Sequence, residues 1–393
     1  MEHYYLAQQL SLMKVRFLQA ISELPAEQWN ALTGTDYPFL RHEFLRALEQ
    51  SGCVSSAQGW QPHHLVIENV QGIVALMPLY LKQHSYGEFV FDHAWANAYY
   101  QHGLPYYPKL VNAIPFTPCS GPRIAFQGIE AAELAPVISN ALQQETERLE
   151  ASSWHCLFSE QSQSAFWQAT DAEQRTACHF HWFNNSYADF DAFLQACQPR
   201  KRKELKRERK KVLEQGITHK RIEGEQINAA HISQFYLFYQ LTNAKYNGHG
   251  GYLSEDFFQQ LLSTMPEQML MIFAYHDGQC IAGALNFFSS TTLFGRYWGC
   301  LQERDFLHFE TCFYQGIEFC IEKGLSVFDP GAQGEHKIKR GFVPILTESY
   351  HWLAHPQFRQ AVQHFLVSEK QAVLDYQQEM LALLPFKSMA TDE

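Results

Sequence analysis

The feature that most constrains this chain is an internal duplication. Residues 63–82, HHLVIENVQGIVALMPLYLK, predict a strand, a turn at Gly72 and a second strand. Residues 270–289, LMIFAYHDGQCIAGALNFFS, repeat the pattern, with Asp277-Gly278 as the hairpin turn. Both runs are almost continuously apolar, as expected of central strands covered on both faces. A second correspondence fixes the spacing. A helical stretch over 133–150 leads to WHCLFSE and then HFHWFN; one over 310–324 leads to SVFDPG and then SYHWLA. Phe158 to Trp182 is 24 residues, Phe328 to Trp352 is also 24, and His precedes Trp in both copies. Order, spacing and hairpins together predict two similar mixed α/β domains.

At 393 residues the chain exceeds what one hydrophobic core usually supports, which agrees with two domains. The expected division is an N-terminal domain over 1–197, a basic helical connector over 198–216, and a C-terminal domain over 217–393 ending in a long helix near 356–384. Hydrophobic residues make up 46% and charged residues 18%, which excludes wholesale disorder. The start, MEHYYLAQQLSLMKVRF, has neither the basic opening nor the apolar run of a secretory signal, and no stretch is long and apolar enough to span a membrane. Nine scattered cysteines without a C-x-x-C pair suit a reducing compartment, so a cytoplasmic protein is expected. In CHFHW, Cys178, His179 and His181 could suit zinc, but strand packing is the simpler reading and no metal site is expected.

Hairpin, further strand, helix and strand is the order of a GNAT acyltransferase domain. A tandem pair resembles the Fem-like peptidyltransferases, and more closely the FemAB-like (peptidoglycan biosynthesis/recognition) family. The resemblance rests on GEFVFDHAWANAYYQHGLPYYPKL, IPFTPCSGPRI, RKRKELKRERKKV, GRYWGCLQERDFLHFETCFYQGIEFCI and FDPGAQGEHKIKRGF, spread over residues 37–354. It implies two GNAT-like domains and transfer of an acyl or aminoacyl group to an amine, with a peptidoglycan precursor as acceptor. The donor it implies is aminoacyl-tRNA or acyl-CoA, with no tightly bound cofactor. One departure bears on the donor. GNAT enzymes hold the CoA pyrophosphate on a glycine-rich turn before the main helix, where backbone N–H groups and the helix dipole face the phosphates. Here CLQERDFLHFE has no glycine between Leu301 and Glu310.

The densest polar constellation runs from Asp329 through Gly331, Gly334, Glu335, His336 and Lys337 to Lys339, Arg340 and Gly341. It starts at a predicted strand end, where open α/β sheets bind ligands. Gly331 and Gly334 allow close backbone approach, and Lys337, Lys339 and Arg340 suit phosphate or carboxylate. Lys339-Arg340-Gly341-Phe342 resembles the basic-x-Gly-Phe turn of Fem-like proteins. Aminolysis needs a base for the amine and donors for the oxyanion. Glu335, His336 and Asp329 are the candidate catalytic groups. No serine or cysteine shows a nucleophile pattern, so direct attack by the amine is expected. Arg296 and Tyr297 lie on the preceding strand, and His308 and Glu310 at the next helix start. These are read as substrate-binding, although Glu310 also suits a dipole cap and His308 a packing role.

In the first half, Asp92, Trp95, Tyr99, Tyr106, Tyr107 and Lys109, followed by Thr117, Gly121 and Arg123, form an aromatic and charged cluster. It suits a sugar-peptide or nucleotide diphosphate, with Lys109 and Arg123 on phosphates; a core cluster and a turn is the alternative. No counterpart of GAQGEHKIKRG occurs there, so the first half is expected to bind and the second to react. Residues 200–211 hold nine basic and two acidic side chains, and the rest of the chain carries 21 basic against 39 acidic. Leu205 and Val212, seven apart, give this helix one thin apolar stripe. Arg202, Lys206 and Arg209 share one face, and Lys203, Arg207 and Lys210 another, as candidate contacts for a polyanion such as tRNA. Two rival readings remain at this point: an acyl-CoA-dependent N-acetyltransferase of a small amine or protein, and a non-catalytic protein that recognises a precursor or nucleic acid.

Overall fold

A computed structural model describes residues 13–332 and 334–387 of the chain. The chain forms two compact units, each built from two separate stretches: residues 1–177 with 347–373, and residues 178–346 with 374–393.

The strands of the first unit are β1 (Lys14–Leu18), β2 (Trp60–Pro62), β3 (His64–Asn69), β4 (Gly72–Met77), β5 (Tyr80–Lys82), β6 (Lys109–Asn112), β7 (Ala125–Phe126), β8 (Ser153–Ser159) and the start of β9 (Glu173–Phe183). The 60–82 hairpin is bent. Its outer half, β2 with β5, continues through β6 to β8, while β3 and β4 lie in a small sheet of order β1-β3-β4-β7. The helix Ala131–Arg148 packs Leu134, Ile138 and Leu142 into a core with Trp154 and Trp167. The second unit holds β10 (Ile217–Glu223), β11 (Met269–His276), β12 (Gln279–Phe288), β13 (Thr292–Cys300), β14 (Val327–Asp329) and the start of β15 (Val343–Leu353). Asp277 (φ 50°) and Gly278 (φ 77°) make the β11–β12 turn, both left-handed as a two-residue hairpin requires.

The duplication is visible in the pairing. In the first unit β2-β5-β6-β8-β15 pair as antiparallel, antiparallel, parallel, antiparallel. In the second, β11-β12-β13-β14-β9 follow the same sequence of senses. The closing strand of each repeat is exchanged. Trp182 of the first repeat pairs with Phe328 of the second, and Trp352 of the second pairs with Trp154 of the first. All four side chains are buried, so each exchange is held by cross-strand aromatic packing.

This exchange overrides the expected linear division at 197 and 217. Residues 347–373 join the first unit, and the expected connector is the helix Pro199–Glu214 inside the second unit. Leu205 and Val212 are its buried residues, as the thin apolar stripe requires. Residues 356–384, expected as a helix, form one over Pro356–Leu381. No described helix is long and apolar enough to cross a membrane.

Candidate functional site

The second unit opens where its two parallel strands part. β13 and β14 pair only over Thr292–Phe294 and Val327–Asp329. Beyond that, Leu285 faces Tyr297 while Asn286 faces Gly295, so Arg296 is the extra residue of a β-bulge. Bulges bend a strand and re-aim its side chains. β14 meanwhile turns away through Pro330 and Gly331 (φ 81°), a left-handed position. A Cβ at Gly331 would lie 3.3 Å from the Gly295 carbonyl oxygen, so glycine also allows the close approach of the two strand ends. The resulting cavity is about 360 Å³, at the carboxyl ends of parallel strands.

Six of the expected site residues line it: Arg296, Tyr297, His308, Gly334, His336 and Lys337. The Lys337 ammonium is buried and donates to the Gly331 carbonyl at 2.7 Å, which holds the glycine turn in place. His336 keeps an exposed face, and partial burial, with the charges of Lys337 and Arg340 added, lowers its pKa and favours the neutral ring. Burial and the same cationic neighbourhood lower His308 to about 4. His336 stands 6.1 Å from His308, 5.5 Å from Phe309 and 5.6 Å from Phe313, centroid to centroid. A neutral imidazole on the wall of a small cavity, beside fixed positive charge, can accept a proton from an ammonium and hand on a nucleophilic amine.

Other expected residues serve different ends. Asp329 lies beneath the turn, 2% exposed, where its Oδ1 accepts the Gly331 N–H at 2.8 Å and sits 3.4 Å from His181 Nε2. Burial would raise its pKa, but His181 and the Gly331 N–H outweigh that and hold the carboxylate ionised. It shapes the turn and is not a base within reach of a substrate. Glu335 is exposed, accepts from Tyr376 at 3.0 Å, and is outside the cavity wall. Lys339 is exposed and also outside the wall. Glu310 is clamped by Arg209, whose Nε and Nη2 donate to its two oxygens at 3.0 and 2.8 Å. Cys178, His179 and His181 lie on β9, and no metal-holding group of His, Cys, Asp or Glu occurs among the described residues.

The first unit corrects a larger part of the reading. Lys109 is 1% exposed and donates to Glu88 at 2.7 Å, to Ser85 at 2.8 Å and to Asp92, which also accepts from Tyr106 at 2.7 Å. Tyr107 shares a 2.8 Å hydrogen bond with Ser85. The cluster is real, but its cation faces carboxylates, not a phosphate. Arg123 is 0% exposed, and its guanidinium donates to the carbonyls of Leu157, Cys119 and Pro122 at 2.7, 2.6 and 3.0 Å. Gly121 bridges to Ser159 at the end of β8. Thus the strand edge that stays open in the second unit is covered in the first by residues 121–123.

Of the basic helix, Arg209 is turned inward and Arg202 is half-buried. Arg209 also donates to Glu318 at 2.6 Å and stacks on Phe190 at 4.4 Å, and Arg202 donates to Gln195. Lys203, Lys206, Arg207 and Lys210 are exposed. Lys206 meets Asp191 at 3.1 Å and Lys210 meets Glu214 at 3.4 Å, both at the surface. The candidate polyanion face is therefore narrower than the sequence suggests. Three contributors escaped the sequence reading. Cys312 and Phe313 line the cavity, and Glu208 anchors Arg340 with two 2.9 Å hydrogen bonds. The signal for Glu208 was present: it is an acid embedded in a basic run.

A second cavity of about 880 Å³ shares Trp298 and His308 with the first. It is flanked by the loop 301–306, which carries Glu303 and Asp305.

The fold is shared with solved proteins. FemX superposes with a TM-score of 0.52 at 10% identity, covering 86% of this chain and 98% of its own. The C-terminal domain (DUF2156) of a provisionally assigned lysylphosphatidylglycerol synthetase from Agrobacterium fabrum gives 0.52 at 11%, covering 90% and 98%. A tandem GNAT protein from the clavulanic acid biosynthesis pathway gives 0.44 at 10%, covering 88% and 99%. At such identity the likenesses to FemX and to the synthetase domain concern the fold alone, that of two mixed α/β units in tandem. No curated protein matches the chain in sequence. The FemAB-like family model, peptidoglycan biosynthesis/recognition, matches residues 20–388, so the chain belongs to the FemAB-like family.

Proposed function

We propose that the protein is a cytoplasmic N-acyltransferase of the Fem type, which moves an aminoacyl group from aminoacyl-tRNA to the amine of a peptidoglycan precursor. The observation that carries this reading is the cavity at the parting of β13 and β14, walled by neutral His336 and fixed by Lys337. His336 accepts the proton of the acceptor ammonium. The freed amine attacks the donor ester carbonyl, and the tetrahedral oxyanion develops in the field of Lys337 and Arg296. Collapse breaks the ester bond, the leaving ribose oxygen takes the proton of the attacking nitrogen, and His336 releases its proton to solvent.

The donor loop favours aminoacyl-tRNA over acyl-CoA. Where a CoA pyrophosphate would need the N–H donors of a glycine-rich turn, residues 301–306 hold no glycine; Glu303 there is paired with Lys245 at 2.6 Å, and Arg304 and Asp305 carry opposite charges. The exposed Lys203, Lys206, Arg207 and Lys210 offer a surface for a nucleic-acid backbone instead. The test is product analysis by mass spectrometry, with aminoacyl-tRNA and acyl-CoA donors supplied separately to a panel of amine-bearing precursors. Product with tRNA donors alone supports the reading. Product with acyl-CoA alone replaces the donor assignment, and no product with either overturns the transferase reading.

A further inference from the structure

The exposed cations of the basic helix account for only one of its faces. Its inward face carries Glu208, whose carboxylate accepts the Arg340 Nη2 at 2.9 Å on both oxygens and also the Tyr314 hydroxyl. Arg340 is 5% exposed and ends the short helix Glu335–Arg340. Its Nη1 donates to the His336 carbonyl at 2.7 Å, and its guanidinium lies 3.3 Å from the centroid of the Phe309 ring. Phe309 and Phe313 are in turn the rings that flank His336. The guanidinium therefore grips both the backbone of His336 and one of the rings against which the imidazole rests. Its own position is set by a carboxylate from another helix.

We infer that Glu208 and Arg340 form a positioning pair that sets the His336 imidazole on the cavity wall. The inference rests on the proposed role of His336, and it makes the basic helix part of the reaction machinery as well as a charged surface. A guanidinium suits this task because its planar fork fixes two directions at once, Nη2 toward Glu208 and Nη1 toward the His336 carbonyl, which a lysine cannot do. Displacement of a catalytic group by about 1 Å costs on the order of a hundredfold in rate, so a second layer of this kind is consequential. The charged and titratable groups facing His336 are Lys337 and Arg340 from its own segment and His308 from the helical stretch 307–323. Arg340 thus contributes both geometry and charge, and substitutions can separate the two.

The experiment is an NMR titration of the His336 imidazole in the full-length protein and in Glu208→Gln, Arg340→Lys and Arg340→Met. Arg340→Met removes a positive charge and is expected to raise the His336 titration midpoint. Arg340→Lys keeps the charge and should leave the midpoint in place, yet move the ring resonance as its geometry against Phe309 and Phe313 changes. Glu208→Gln should move the resonance in the same direction as Arg340→Lys. In acyl-transfer assays, Glu208→Gln and Arg340→Lys are expected to lower kcat about tenfold with KM unchanged. If the His336 resonance and midpoint stay as in the wild type in all three folded variants, the pair does not position the histidine and the inference fails. The titration needs no substrate. A shifted resonance without any detectable acyl transfer would uphold the positioning pair and sink only the reaction reading.

Discussion

In the first unit, His155 and His351 are expected to make the protein acid-labile. Their Nδ1 atoms lie 2.8 Å apart, and their Nε2 atoms each lie 2.8 Å from a serine, Ser153 and Ser349 respectively. One Nδ1 must donate and the other accept, so the pair is satisfied with both rings neutral. Burial, with Lys109 adding to it, lowers His155 to about 3, and burial lowers His351 well below the usual histidine value. For a histidine whose folded pKa is depressed, stability is fully present above the unfolded pKa. It is lost as pH falls toward the folded value, because only the unfolded chain takes up the proton. For His155 alone, moving from pH 8 to pH 5 costs about 2 kcal/mol, and His351 adds a loss of the same sign. The check is urea denaturation followed by tryptophan fluorescence at half-unit steps between pH 8 and pH 4.5. His155→Gln should remove about one proton from the slope of stability against pH, whatever its effect on absolute stability. Equal slopes in variant and wild type, or an NMR midpoint near 6.5 for either ring, would refute the buried neutral pair.

Arg209→Met should destabilise the second unit by about 3 kcal/mol, because it leaves the buried Glu310 carboxylate without its cationic partner, with the Gln315 amide at 2.8 Å as the hydrogen bond that remains; chemical denaturation measures it. Charge reversal at Lys203, Arg207 and Lys210 together should weaken tRNA binding and flatten its salt dependence while leaving the thermal midpoint nearly unchanged; filter binding across a salt series reads both. Gly331→Ala forces a side chain into φ 81° against the Gly295 carbonyl and should cost about 1–2 kcal/mol. A thermal-shift comparison with wild type checks the sign.

The repeats were legible because periodicity and turn chemistry are local. The 24-residue spacing and the Asp277-Gly278 turn needed no knowledge of partners. Strand exchange was not legible. Periodicity marks Trp182 and Trp352 as strand residues, but their partners Phe328 and Trp154 are chosen by long-range packing. The same limit explains Lys109 and Arg123. A lysine or arginine reads as surface unless a partner is known, and Glu88, Asp92 and the carbonyls of Cys119 and Leu157 supply those partners only in the folded chain. In the second unit His336 and Lys337 were found because glycines and charges cluster in sequence there. Asp329 and Glu335, chosen by residue type from the same cluster, were separated from the cavity by side-chain direction.

The most direct test is the pH dependence of acyl transfer by His336→Gln, measured beside the wild type with the same donor and acceptor. Loss of about a hundredfold in kcat/KM at pH 7, with the acid limb of the profile abolished and the fold intact, is expected if His336 is the base. An unchanged rate and an unchanged acid limb would contradict the assignment of the β13–β14 cavity as the reaction site.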